Sequence, residues 1–192
     1  MLTTEDKARL AGLDRSNLPR IVRLQKFFYP NIEGIEEWKK NLEKCLKERN
    51  NELYEHILYD LIAHIGTRLG YKTIYRDHNA KGKHTRHHGL WVEKLEDNGN
   101  SFMIKANKTF NMEDTVDFYK INKTDMDKKE AVLKRIARKP TASVPLKILI
   151  EMIRLSEENK LNYKRITSLF ELNNGKTDFD WEGFLRLSAG KE

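Results

Sequence analysis

Four of the chain's six histidines, His78, His84, His87 and His88, fall within residues 76–88, interleaved with Arg76, Lys81, Lys83 and Arg86. Imidazoles in such company can do three kinds of chemistry. Beside Lys and Arg they can contact phosphate, because the cations neutralise backbone charge and the rings add donors. Their nitrogens can ligate zinc or another transition metal, although a structural site asks for four ligands at tighter spacing and nearby cations oppose an added metal charge. Paired imidazoles can also exchange protons in phosphodiester cleavage, which would make a metal-independent ribonuclease. A solvated polar loop is the fourth reading, and no metal ligand is assigned.

Composition narrows the classes. Thirty-six Lys and Arg against 29 Asp and Glu leave a formal charge of +7 over 192 residues, which favours an anionic partner such as nucleic acid. A single cysteine, Cys45, excludes a disulfide framework and any zinc site built mainly on thiolates. No apolar run approaches the roughly 20 residues of a membrane span, and the N-terminus lacks the layout of a signal peptide, so the expectation is a cytoplasmic protein without membrane contact. There is no Gly-rich phosphate loop and no dinucleotide fingerprint. A protein partner or self-association through the helical regions is the non-enzymatic alternative.

The elements that must position these residues follow from periodicity. Only four prolines and ten glycines interrupt the chain, so long helices are expected. One spans residues 16–28. A second runs over 34–48, with Ile35, Trp38, Leu42 and Leu46 on one stripe and Cys45 on a flank. A third covers 50–69, where Leu53, Ile57, Leu61 and Ile65 recur every four residues and Gly70 closes the helix. His56 and His64 lie beside that stripe and read as core histidines. Strands are expected at 71–75, 89–93 and 101–107, and the helix stripe is expected to pack on Ile74, Leu90, Val92, Ile104 and Ala106. Helices are then predicted at 113–122, 125–138, 144–158, 163–172 and 179–187, the second of them basic, with Trp91 and Trp181 as packing residues. The fold class is α+β: a small three-stranded sheet packed on helices, with helical N-terminal and C-terminal regions. The expected organisation is a helical region 1–49, an α/β core 50–122 and a helical region 123–192.

Helix, strand, loop, strand, turn, strand, helix over residues 50–122, with Gly89-Leu-Trp-Val-Glu93 followed by Phe102-Met-Ile-Lys-Ala-Asn-Lys-Thr109, resembles the PD-(D/E)XK restriction-endonuclease-like family. The resemblance implies a domain that binds DNA and either cleaves phosphodiesters or is a degenerate, non-cleaving member. It implies Mg2+ as cofactor if the chain is a nuclease, held by an aspartate opening the second strand and by a Glu-x-Lys on the third. In this chain His87-His88-Gly89 stands where that aspartate is expected, and alternation assigns Lys105 and Asn107 to the third-strand positions. Asp77, Glu93 and Glu96 are the acids at hand, and Glu52 or Glu55 serves as the acid of the preceding helix. The candidate catalytic set is Glu55, Asp77, His88, Lys105 and Asn107. The candidate nucleic-acid contacts are Arg76, Lys81, Lys83, His84, Arg86, His87 and Lys108. No apolar fourth strand is expected after the helix at 113–122.

Overall fold

A computed structural model describes residues 25, 26, 29, 32, 34–48, 52–75, 88–93, 100–106, 111–122 and 139–190. The chain forms two compact units, Met1–Leu61 and Ile62–Glu192, and the division falls inside a helix. The expected helices at 125–138 and, apart from isolated residues, 16–28 lie outside the described residues, as does the side chain of Leu53.

In the first unit, helix α1 (Ile35–Lys47) carries Glu36 and Glu37 in its first turn and Lys44 and Lys47 in its last, charges that oppose the helix dipole at both ends. Its buried stripe is Trp38, Asn41, Leu42 and Cys45. Ile35 and Leu46 are only partly covered. Cys45 is therefore a core residue, not a flank, and burial pushes its thiol up to about 12 against the opposing pull of Lys44. It is a packing group, not a nucleophile.

Helix α2 (Glu52–Arg68) begins in the first unit and ends in the second. Every residue from Ile57 to Gly66 is buried, so its middle is covered on all sides and one stripe does not describe it. In the first unit, buried Asp60 accepts from Gln25 Nε2 at 3.0 Å and from the Tyr29 hydroxyl at 3.4 Å. Gly70 ends the helix as expected. It sits at φ +96°, the Gly70 N–H donates to Thr67 O at 3.2 Å, and the Tyr71 N–H donates to Gly66 O at 2.8 Å. That pair of bonds is a Schellman closure, and the left-handed residue it needs costs glycine least.

The second unit is built on one antiparallel sheet whose spatial order equals its chain order: β1 (Lys72–Tyr75), β2 (Gly89–Val92), β3 (Asn100–Ala106), β4 (Thr115–Asn122) and β5 (Ala142–Pro145). The first three strands fall where the sequence places them. The three-stranded sheet is corrected to five, and the predicted helix at 113–122 is strand β4. Its run Thr-Val-Asp-Phe-Tyr-Lys-Ile-Asn is rich in β-branched and aromatic residues, and β3 and β5 pair with it on both sides. Against the expectation of no apolar strand after residues 113–122, β5 follows this segment with Ala142 and Val144 buried. Val144, assigned to a helix, belongs to β5. That edge strand tolerates Pro145 at its end, where helix α3 (Leu146–Glu157) begins. Helices α4 (Tyr163–Asn173) and α5 (Trp181–Ser188) follow, close to their predicted spans.

Register divides the sheet into two buried faces. Trp91, Phe102, Ile104, Ala106, Val116, Phe118, Ala142 and Val144 share one. Leu90, Val92, Met103 and Ile121 cluster on the other, with Ile74 and Tyr119 packed against them. The expectation that one helix stripe packs on Ile74, Leu90, Val92, Ile104 and Ala106 together is therefore wrong by parity: the first three point away from the last two.

On the first face, Trp91 donates from Nε1 to Ala63 O of α2 at 2.8 Å. Its ring stacks on Tyr71 at 5.3 Å and meets Phe118 at 4.7 Å. Phe170 of α4 closes the cluster against Phe118 at 4.7 Å and Phe102 at 5.3 Å. The indole fits because Gly66 has no side chain: a Cβ there would lie 2.4 Å from Trp91 Cδ1. Gly66→Ala is therefore expected to destabilise the chain by about 1–3 kcal/mol in urea unfolding, despite alanine's better helix propensity. A gain, or a loss below about 0.5 kcal/mol, would place the indole elsewhere.

Candidate functional site

Tyr75 pairs with Gly89, Ala106 with Val116 and Thr115 with Pro145. These pairs put the end of β1, the start of β2, the end of β3, the start of β4 and the end of β5 at one end of the sheet. Tyr75 and His88, the described residues on either side of the segment 76–87, both stand there.

His88 precedes β2 and is bonded twice to β3. Its N–H donates to Ile104 O at 2.7 Å, and its Nδ1 accepts the Ala106 N–H at 2.9 Å. An acceptor Nδ1 assigns the ring proton of the neutral imidazole to Nε2. Lys105 lies between those two β3 residues. Ile104 and Ala106 are buried on the helix-packed face while Lys105 is exposed on the other, as alternation predicts. Lys105 has no hydrogen-bond or ion-pair partner among the described residues.

Next along the row, Asp117 of β4 is the cross-strand partner of Lys105, and Ser143 of β5 is the partner of Asp117. The Ser143 hydroxyl donates to Asp117 Oδ1 at 2.7 Å. Tyr119, two residues along β4 on the same face, has its phenol pushed up by burial and then by the Asp117 charge. The result is a polar row, His88, Lys105, Asp117 and Ser143, at the margin of an apolar sheet face. It offers a cation and a carboxylate side by side on fixed strands.

A second histidine lies on the opposite, helix-packed face of the sheet. His64 of α2 lies under the end of β1, where its Nδ1 meets the Tyr75 hydroxyl and the rings stack at 6.0 Å and 10°. Burial, then the Arg68 charge, lowers its pKa from 6.5 to about 4, so the ring is neutral at physiological pH.

Of the catalytic set, His88 and Lys105 are brought together at this end. Glu55 belongs to the first unit, where its Oε1 accepts from the Tyr59 hydroxyl one turn on, at 2.9 Å. Asp77 and Asn107 lie outside the described residues, as do Arg76, Lys81, Lys83, His84, Arg86, His87 and Lys108, and Glu96 with them. Glu93 is committed to structure at the far end of β2: it accepts the Asn100 N–H at 2.9 Å and the Thr167 hydroxyl at 2.8 Å. Among the described residues no three His, Cys, Asp or Glu side chains gather as a metal site would need. Sequence reasoning missed Asp117 because it read residues 113–122 as helix, and Ser143 because it fell between two predicted helices and not in a strand. The β-branched and aromatic content of Thr115–Asn122 was the signal available.

The His64 environment has a consequence for stability. Below pH 6.5 the unfolded chain takes up a proton at this residue that the folded chain refuses until about pH 4. The stability tied to the neutral ring is thus complete above pH 6.5 and is lost as the pH falls towards 4, a loss of about 3 kcal/mol from this group. Unfolding free energies measured from pH 7 to 4 should fall more steeply for the parent than for His64→Gln by about that amount. Parallel pH profiles would show that His64 is not held neutral.

No family model matches the chain, and neither a curated protein nor a solved structure matches it.

Proposed function

We propose that this chain binds nucleic acid, DNA in the first instance, through phosphate contacts at the sheet end that carries His88 and Lys105. The observation that carries the reading is Lys105, an exposed cation on a paired strand, without an ion-pair partner among the described residues. Such a cation can replace counterions condensed on a phosphate backbone without first giving up a carboxylate. Two further features support it. Tyr75 and His88, which stand at this end, flank a segment whose sequence carries Arg76, Lys81, Lys83 and Arg86, and the chain carries +7 overall.

The narrower form of the reading is a restriction-endonuclease-like hydrolase that uses Mg2+. It gains one candidate acid, Asp117, beside Lys105, and lacks a third ligand among the described residues. The proposal is therefore binding, with cleavage as an extension that the same assay decides.

Affinity for a labelled DNA duplex of mixed sequence should fall tenfold or more between about 50 and 200 mM salt. Lys105→Ala should weaken binding at low salt and reduce the slope of log K against log salt by about 0.9, one phosphate contact. No binding at low salt, or binding indifferent to salt, would overturn the reading. Nicking of plasmid that requires Mg2+ and disappears in Lys105→Ala would extend it to hydrolysis.

A further inference from the structure

We infer that Ser143 is a positioning residue of this site: it holds the Asp117 carboxylate away from Lys105 and so keeps the lysine available to phosphate. The inference rests on the nucleic-acid reading above. Lys105, Asp117 and Ser143 are consecutive cross-strand partners on β3, β4 and β5, and partners in register point to the same side of a sheet. A lysine and an aspartate directly opposite each other on antiparallel strands ordinarily attract. Here Asp117 Oδ1 instead accepts a hydrogen bond from the Ser143 hydroxyl at 2.7 Å, a charge-assisted bond, and no ion pair joins it to Lys105.

Ser143 can hold the carboxylate because its own backbone is fixed from both sides. Its N–H donates to Asn173 Oδ1 of α4 at 3.1 Å, and its carbonyl accepts from Trp181 Nε1 of α5 at 3.1 Å. Asn173 is fully buried and is itself held, donating from Nδ2 to Lys176 O at 2.8 Å. The chain of dependence runs from the two C-terminal helices to Ser143, from Ser143 to Asp117, and from Asp117 to the charge that Lys105 presents. Without the hydroxyl, the carboxylate's nearest compensating charge across the register is Lys105, and an anionic ligand must then compete with it.

The test is the salt dependence of binding to a fluorescein-labelled DNA duplex of mixed sequence, with thermal unfolding of each variant as the check on folding. Ser143→Ala keeps both backbone bonds and should lose roughly five- to tenfold in affinity near 0.1 M salt, with the salt slope reduced by about 0.9, because one phosphate contact is quenched. Ser143→Thr retains the hydroxyl and should bind like the parent. Adding Asp117→Asn to Ser143→Ala should restore affinity and slope, since an amide cannot quench the lysine. In a Lys105→Ala background, Ser143→Ala should cost nothing further, the non-additivity expected of residues acting through one another.

Parent-like binding by Ser143→Ala overturns the inference, as does a double variant as weak as Ser143→Ala alone. A loss in Ser143→Ala that Asp117→Asn does not repair, with a lowered melting temperature, would assign the hydroxyl to structure only. Failure of the parent to bind at low salt overturns the nucleic-acid reading itself, which separates the two results.

Discussion

The second unit depends on the seating of Trp91 against Gly66. The indole fills the space a side chain would take, its N–H satisfies the Ala63 carbonyl, and its faces carry Tyr71 and Phe118. One large residue therefore fixes the distance between helix and sheet, joins β2 to the start of β1 and provides the floor on which Phe170 lies. The size of the indole and the absence of a Cβ on α2 are complementary. Either changed alone leaves a clash or a cavity in a core with little room to adjust.

From that anchor the paired strands run to the sheet's polar end. β4 is paired along both edges, and β5 is tied to α4 and α5 through the backbone of Ser143. On the far side of the unit, Glu93, Thr167 and Tyr71 form a hydrogen-bonded chain that ties the end of β2 to α4 and to the start of β1. An acid that looks available for chemistry is spent there on closing the fold. The acid beside the exposed lysine is Asp117, and its orientation is decided by a strand 26 residues away in sequence. The charges presented at this end are thus a matter of which hydrogen bonds leave which groups unpaired.

Much of this was legible from the residues. The C-terminal glycine of α2 and the strands from residue 72 to 106 fall close to where the pattern placed them, because each has a local signature: a left-handed stop, or a β-branched and aromatic run bounded by turn residues. Trp91 and Trp181 are packing residues as expected. The exposure of Lys105 was legible because Ile104 and Ala106 define its face. β4 was lost because the sheet buries apolar residues on both faces. Val116 and Phe118 then alternate with Tyr119 and Ile121 in a run that no simple apolar–polar pattern describes. β5 has four residues and a proline, so it is a strand only by virtue of its pairing with β4. Asp117 and Ser143 could not be brought together without those two strands, and the polar row followed them out of view.

The most direct measurement is a 1H–15N correlation titration of the chain with a DNA duplex at low salt. Binding at the polar end predicts that the largest shifts fall on His88, Lys105, Ala106, Asp117 and Ser143 and reverse as salt is raised. Shifts confined to other residues, with these five unmoved while the duplex is bound, would contradict it.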